Sequence, residues 1–539
     1  MAILNRADAA PENASSPVAA AVTPLLIGPP PLDADKFRRQ GRQVVDFIAD
    51  YYACIDDYPV RPDVAPGFLT GKLPETAPYT VEPDALTAAL RDVRELILPG
   101  ITHWQSPRHF AHFSATASNV GALGEALAAG LNINPFTWEA SPAATELEVV
   151  VTDWLGKALH LPEKLLFAGG GGGTLLGTSC EAMLCTIVAA RDRKLAEIGE
   201  ERMGDLVVYC SDQTHFSFEK AARIAGICRG NYREIPTCRE SGFALTAKAL
   251  QAAVSADEAA GRVPLFLCAT VGTTPTSAVD PLRELCAAVE GRDVWVHVDA
   301  AYAGAACVCP EFRHNIAGAE AVDSFSTNPH KWLLANMDCC ALWVRQPTAL
   351  VAALGTDGDV ILKDAVVRSS QTGVVDYKDW QVALSRRFRA LKLWLVLRCH
   401  GIDGLRAVVR SHVCMATAFE CMVRADARFE VPVPRQFALV CFRLRATAAL
   451  PGEDKLPCGA VDDVTANNEL NRRLLEAVNA TGRVYMSSAV VGGMYVLRCA
   501  VGNSLTEERH VREAWNVVQK QAAVVLAIKN KTDNQVPKN

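Results

Sequence analysis

VWVHVDAAYAG, residues Val294–Gly304, reads as a short buried strand that ends on a charge. The β-branched run Val294–Val298 is followed by Asp299 and then by small residues that suit a tight turn. Similar apolar runs flank it: LVVYC (Leu206–Cys210), PLFLCATVG (Pro264–Gly272), DSFSTN (Asp323–Asn328) and CCALWV (Cys339–Val344). Helical patterns lie between most of them, as over Pro281–Val289. Continuous apolar strands alternating with helices predict an α/β fold, a mostly parallel sheet covered on both faces.

Outward from this core the patterning changes. After about Leu393, FALVCFRLR (Phe437–Arg445) and MYVLRCAVG (Met494–Gly502) read as strands beside helices over Asn467–Val478 and Thr506–Val524, predicting a small C-terminal α+β domain. Near the start, DADKFRRQGRQVVDFIADYYACI places Phe37, Val44, Val45, Phe47, Ile48, Tyr51 and Tyr52 on one helical face with no evident neighbour, which suggests packing against a second copy. Another amphipathic stretch, Asp84–Leu98, stops at Pro99-Gly100. The expected organisation is a flexible Ala/Pro-rich leader over 1–32, an N-terminal helical dimerisation segment over 33–118, a large cofactor-binding domain over 119–393 and a small domain over 394–539. Prolines interrupt the uncharged segment Ser15–Pro31, which argues against a signal peptide.

Composition narrows the function. Of 539 residues 50% are hydrophobic, enough for two or three packed domains and too many for a disordered chain. With 54 Lys+Arg against 60 Asp+Glu, no basic stripe points to nucleic acid, and no apolar run is long enough to span a membrane. The 18 cysteines are scattered along the chain, and pairs such as Cys307/Cys309 and Cys339/Cys340 lie in apolar runs, so reduced thiols in a cytoplasmic protein are expected. No CxxC pair faces a second one, and no metal is expected.

Chemistry enters with SFSTNPHKWLL, Ser324–Leu334. Lys331 follows a strand 32 residues after Asp299, and ligands of open α/β sheets bind outside the carboxyl ends of strands. A lysine able to form an imine and an aspartate able to keep a pyridine nitrogen protonated are the two essentials of a pyridoxal 5'-phosphate site. AGGGGGTLLGTSCEAMLC, Ala168–Cys185, offers a glycine-rich run that opens into a helix, where backbone N–H groups favour a phosphate. Thr274 follows another strand, and His215, in CSDQTHFSFEKA, follows LVVYC as a candidate ring stacker.

Together these residues resemble the plant aromatic L-amino-acid decarboxylases, the tyrosine/dopa and tryptophan branch of the group II pyridoxal-dependent decarboxylases. Matching stretches run from about Pro31 to Val524: THWQSPRHFAHF, SPAATELE, TSCEA, SDQTH, HVDAAYAG, CPEFRH, NPHKWLL, DYKDWQ, RRFRALKLW, VPRQFALVCFRLR and TGRVYM. The resemblance implies fold type I, a seven-stranded sheet in the large domain, and a homodimer with active sites at the interface. It implies that Lys331 forms the Schiff base, Asp299 partners the pyridinium and His215 stacks on the ring and helps shuttle protons. Ser179, Cys180, Thr274 and Asn328 would hold the phosphate, and His330 would lie beside the lysine. Trp104, His112, Phe113, Ala115, Phe136 and Ser385 would line the substrate pocket, with Phe136 reaching in from the partner subunit.

Two positions bear on substrate and product. In the family, serine at the place of Ser385 goes with phenolic substrates and glycine with the bulkier indole, as pocket volume would dictate. The family's mobile loop carries a tyrosine that helps protonate the substrate carbon after carbon dioxide leaves. Here the ungapped equivalent is Val360, which has no proton to give, and Gly355–Asp376 contains no tyrosine. The expected function is decarboxylation of aromatic L-amino acids, tyrosine or dopa preferred, to the arylethylamine. The alternative is an aromatic aldehyde synthase, which yields arylacetaldehyde, ammonia and hydrogen peroxide. A pocket for an acidic amino acid would want a basic residue where aromatics stand. A non-catalytic protein that keeps the fold would lack the cofactor's colour.

Overall fold

A computed structural model describes residues 32–80, 83–356, 374–445 and 464–533. Residues 1–31 of the expected leader, and Val360, lie outside the described residues. The described residues divide into two compact units, one within Met1–Cys54 and Gly67–Pro99, the other within Ile55–Pro66 and Gly100–Asn539.

In the first unit, helix α1 (Ala34–Ala53) starts where Asp33 accepts a hydrogen bond from the Lys36 backbone N–H. It buries none of its residues in the single chain, and Phe37, Val45 and Ile48 are exposed. The stretch expected as one helix over 84–98 is α2 (Ala85–Asp92) followed by a π-helical turn, Val93–Ile97, and a 3₁₀ turn, Leu98–Gly100. The Arg94 guanidinium, 5.3 Å from the Phe47 ring, ties that turn to α1.

The second unit is built on a seven-stranded sheet with the order β1-β7-β6-β5-β4-β2-β3. Its strands are β1 (Gly172–Leu176), β2 (Leu206–Ser211), β3 (Tyr232–Ile235), β4 (Val263–Thr270), β5 (Trp295–Asp299), β6 (Ser324–Thr327) and β7 (Cys340–Val344). All neighbouring pairs are parallel except those made by β7, which runs antiparallel to both β1 and β6. Buried residues cover both faces, as the continuous apolar strands require. On one side lie α4 (Pro142–Leu159) and the long helix Arg389–Ala425, which turns at Gly401; α5 (Ser179–Ile198) lies on the other. A second sheet, β10-β11-β9-β8, gathers β8 (Phe429–Glu430), β9 (Leu439–Leu444), β10 (Ser487–Val491) and β11 (Met494–Ala500), with the helices Val464–Ala480 and Glu508–Asp533.

The glycine run differs from its expectation. Instead of wrapping a ligand, it enters the edge strand β1, and its glycines serve packing. A Cβ on Gly171 would stand 2.3 Å from the Lys164 carbonyl oxygen, and one on Gly173 would stand 2.7 Å from the Thr152 Cβ. Only the end of the run, Thr178–Cys180, reaches the site.

Candidate active site

The carboxyl ends of the strands form one wall of a cavity of about 150 Å³. Asp299 ends β5, Thr270 ends β4, and Asn328 and Lys331 follow β6. Lys331 lies in the single helical turn Pro329–Trp332, whose opening proline suits a position where a backbone N–H would have no helical partner. Lys331 is half-buried, and its Nζ has no hydrogen-bond partner among the described residues. Burial pulls its pKa below the ordinary lysine value, while the nearby charge of Asp299 partly opposes this. Asp299 Oδ1 accepts the Ala301 backbone N–H at 3.0 Å.

His215 follows β2. Its Nδ1 accepts the Ser217 backbone N–H at 3.2 Å and lies 2.7 Å from the Ser217 hydroxyl. A ring nitrogen that accepts a backbone N–H carries no proton, so the neutral imidazole holds its proton on Nε2. Burial lowers the pKa of this ring; Asp299 raises it and Lys331 lowers it further.

Helix α5 begins at the cavity. Thr178 caps it by accepting the Glu181 N–H, and Ser179 and Cys180 occupy its first turn, where backbone N–H groups have no helical partner. The Ser179 hydroxyl donates to Asn328 Oδ1 at 2.9 Å, which joins the two strand ends. Phe113 closes the opposite wall. Its ring stacks on Tyr302 at 3.6 Å, lies 5.3 Å from the Arg498 guanidinium and is 6.0 Å from Lys331 Nζ. Tyr302 stacks in turn on Trp332, and the Trp332 indole N–H donates to His412 Nδ1 at 2.8 Å. An aromatic column therefore fixes the residue next to Lys331.

The cavity brings together Lys331, Asp299, His215, Ser179, Cys180, Thr274, Asn328 and Phe113. The remaining expected residues stand elsewhere in the single chain. His330 is buried with Nδ1 against the Cys339 backbone, and burial pushes its pKa down to about 4. Trp104 and His112 stack on each other at 5.7 Å, with His112 exposed in a left-handed backbone conformation. The Ala115 carbonyl accepts from the Gln105 side chain. Asn134 donates to the Ser385 hydroxyl at 3.3 Å, which sets the exposed Ser385 near Phe136. Thr178, Ser217, Thr270, Gly272, Ala301 and Tyr302 also line the cavity. Thr270 and Gly272 had a signal in the sequence, the end of PLFLCATVG. Arg498 had a subtler one, an arginine inside the apolar strand MYVLRCAVG.

The model of the pyridoxal-dependent decarboxylase conserved domain matches residues 66–445. The chain belongs to this family. It is a pyridoxal phosphate-dependent carboxy-lyase, and the site fits that cofactor. The Thr270 hydroxyl is buried at the cavity with no partner among the described residues, beside an unpaired amine and an open helix start. The chain is 69% identical over 518 residues to a tyrosine decarboxylase of Oryza sativa subsp. japonica, covering 96% of this chain and 95% of that one. It is 55% identical over 496 residues to a phenylacetaldehyde synthase of a Rosa hybrid cultivar, covering 92% and 96%. A crystal structure of Oryza sativa TDC with PLP and tryptamine superposes with a TM-score of 0.88 at 46% identity, covering 93% of this chain and all of that one.

Proposed function

We propose that this decarboxylase acts on aromatic L-amino acids, tyrosine or dopa before phenylalanine and tryptophan, and releases the arylethylamine and carbon dioxide. The observation that carries the reading is the meeting of Lys331, Asp299 and His215 in one cavity walled by Phe113; the 69% identity to a tyrosine decarboxylase supports the substrate. When bound, pyridoxal phosphate supplies an electron sink that stabilises the carbanion left by carbon dioxide. Lys331, whose pKa burial pulls below the ordinary lysine value, is the amine that would hold the cofactor. Asp299 would keep a positive charge on the ring nitrogen. Ser179, Cys180, Thr274 and Asn328 hold the phosphate at the start of α5. His215 would stack on the ring, and its Nε2–H would serve as a proton donor there.

The assembly that completes the pocket is a cytoplasmic homodimer, in which the surface around Phe136 and Ser385 faces the cavity of the other subunit. Exposed apolar side chains support it: Phe37, Val45 and Ile48 on α1, Leu123, Leu127 and Leu131 on α3 (Asn119–Leu131), and Val382 and Leu384 beside Ser385. The free cysteines among the described residues agree with a reducing compartment. Rates of amine formation from tyrosine, dopa, phenylalanine and tryptophan test the substrate; tryptophan as the best substrate would overturn it.

One observation favours a second product. Val360 stands where the family carries its loop tyrosine, and loss of a general acid typically slows protonation by about 10²–10⁴-fold. An aldehyde synthase would then consume dioxygen and water and release arylacetaldehyde, ammonia, carbon dioxide and hydrogen peroxide. Val360→Tyr is expected to raise the amine share if this position sets the branch. An unchanged product ratio would remove it from the branch.

A further inference from the structure

Behind the cavity wall, the sheet carries a row of polar side chains where apolar ones would pack. Three consecutive rungs on the face of β5 that meets α5 run from Phe266 and Trp295, through Cys268, His297 and Ser324, to Thr270, Asp299 and Ser326. Trp295, His297, Ser324 and Ser326 are all buried, with at most 1% of their surface exposed.

Their hydrogen bonds form a chain. The Trp295 indole N–H donates to Ser324 Oγ at 2.8 Å. Ser324 Oγ lies 2.8 Å from His297 Nδ1, and His297 Nε2 lies 3.2 Å from Ser326 Oγ. Burial pushes the His297 pKa down to about 3, so the ring is neutral and carries one proton. Two tautomers satisfy these contacts, and they differ in which hydroxyl keeps a spare proton. With the proton on Nδ1, the spare proton sits on Ser324, a rung below Asp299. With the proton on Nε2, it sits on Ser326, whose cross-strand partner is Asp299 itself. No hydrogen bond links Ser326 to Asp299 among the described residues, so the link across this rung is the dipole of a buried hydroxyl one strand away from a carboxylate, which favours the second arrangement, with the spare proton on Ser326. The chain then runs one way, from the indole N–H through Ser324, His297 and Ser326 to the rung of Asp299.

We propose that His297, acting through Ser326, is a positioning residue that holds Asp299 as a fixed anion facing the cofactor's ring nitrogen. His297 touches neither cofactor nor substrate. The inference rests on the assignment of Asp299 made above, and it adds to that assignment a support one shell deeper in the sheet. A ligand-holding carboxylate whose outer partners are lost keeps its chemistry but loses its orientation, which weakens the group it holds.

The test uses the full-length protein, stripped of pyridoxal phosphate and reloaded, with cofactor affinity and the visible absorbance band measured beside the thermal midpoint. Ser326→Ala, which removes the last hydroxyl of the chain, is expected to weaken pyridoxal phosphate binding about tenfold and to shift the balance of the bound cofactor's absorbance bands. Ser326→Thr, which restores a hydroxyl, is expected to recover both. Trp295→Phe, which removes only the remote donor, is expected to have a smaller effect of the same kind. His297→Phe is expected to match or exceed Ser326→Ala. If the variants lose thermal stability while affinity and band balance stay at wild-type values, the chain is structural packing and the proposal is overturned. If Asp299→Asn leaves affinity and bands unchanged, or wild type takes up no cofactor, the assignment beneath it is overturned as well. That result is distinct from wild-type loading with unaffected Ser326 variants.

Discussion

Lys331 is an amine held half-buried beside an aspartate, and burial favours its neutral, nucleophilic form. Lys331→Ala is therefore expected to abolish both turnover and the visible band of the bound cofactor; activity at wild-type level would remove Lys331 from the chemistry. Ser385→Gly is expected to raise the ratio of tryptophan to tyrosine turnover, and an unmoved ratio would take Ser385 out of the pocket. Residue roles were readable to different depths. Lys331, Asp299, Thr274 and His215 all follow strand ends, and strand ends converge on one edge of an α/β sheet, so their meeting could be read without coordinates. His330 follows the same strand as Lys331, yet its ring turns to the Cys339 backbone. Adjacency in the chain does not fix side-chain direction. The support that Ser217 gives His215 and Ser326 gives His297 depends on a two-residue turn and a cross-strand register, neither of which has a local signature.

At the scale of elements, β1 shows why a motif can be noticed and still misassigned. A glycine run suits a phosphate loop, but it equally suits an edge strand pressed against its neighbours' backbone, and here packing claims it. Gly171→Ala, with its new methyl against a carbonyl oxygen that cannot move aside, is expected to cost about 1–3 kcal/mol, measurable by urea denaturation. The motifs SPAATELE and RRFRALKLW also find their partner only in three dimensions. Glu148 on α4 pairs with Arg386 through two contacts of 2.7 and 2.9 Å, and both side chains are almost wholly buried. Glu148 also accepts the Leu175 N–H of β1 at 2.8 Å, so one carboxylate ties helix, edge strand and the segment before the long helix. Glu148→Ala would leave a buried guanidinium without its counter-charge and is expected to cost about 3–5 kcal/mol. A loss under about 1 kcal/mol would show the pair to be dispensable. The strands β2, β4, β5, β6 and β7 were legible because both their faces are buried. The short β3 and β8 were not, since half-buried or two-residue strands carry too little pattern.

For the whole molecule, buried imidazoles set the response to pH. His109, His330 and His412 are pushed down to about 4 and His297 to about 3, chiefly by burial. An unfolded histidine titrates near about 6.5. Between that value and about pH 4 the unfolded chain therefore holds more protons than the folded one, and stability falls as pH falls. Each such group contributes about 1.4 kcal/mol per pH unit. Asp280, pushed up to about 7 by burial, acts in the opposite sense and offsets about one of the four. The thermal midpoint is expected to drop between about pH 7 and about pH 5, and a flat or rising midpoint would contradict the neutral burial of these rings. The two-sheet architecture was readable from the change in patterning after Leu393. The second subunit proposed for the pocket was suggested by the family resemblance and by apolar helix faces without a partner in one chain, and Phe136 and Ser385 are the positions at which that proposal bears on substrate.

The central claim is that this chain removes carbon dioxide from tyrosine and returns the amine. One reaction of the cofactor-loaded protein with tyrosine in air, assayed together for carbon dioxide, tyramine and hydrogen peroxide, tests it directly. Carbon dioxide matched by tyramine, with no peroxide, is the predicted result. Carbon dioxide matched by peroxide in place of tyramine, or no carbon dioxide at all, would contradict it.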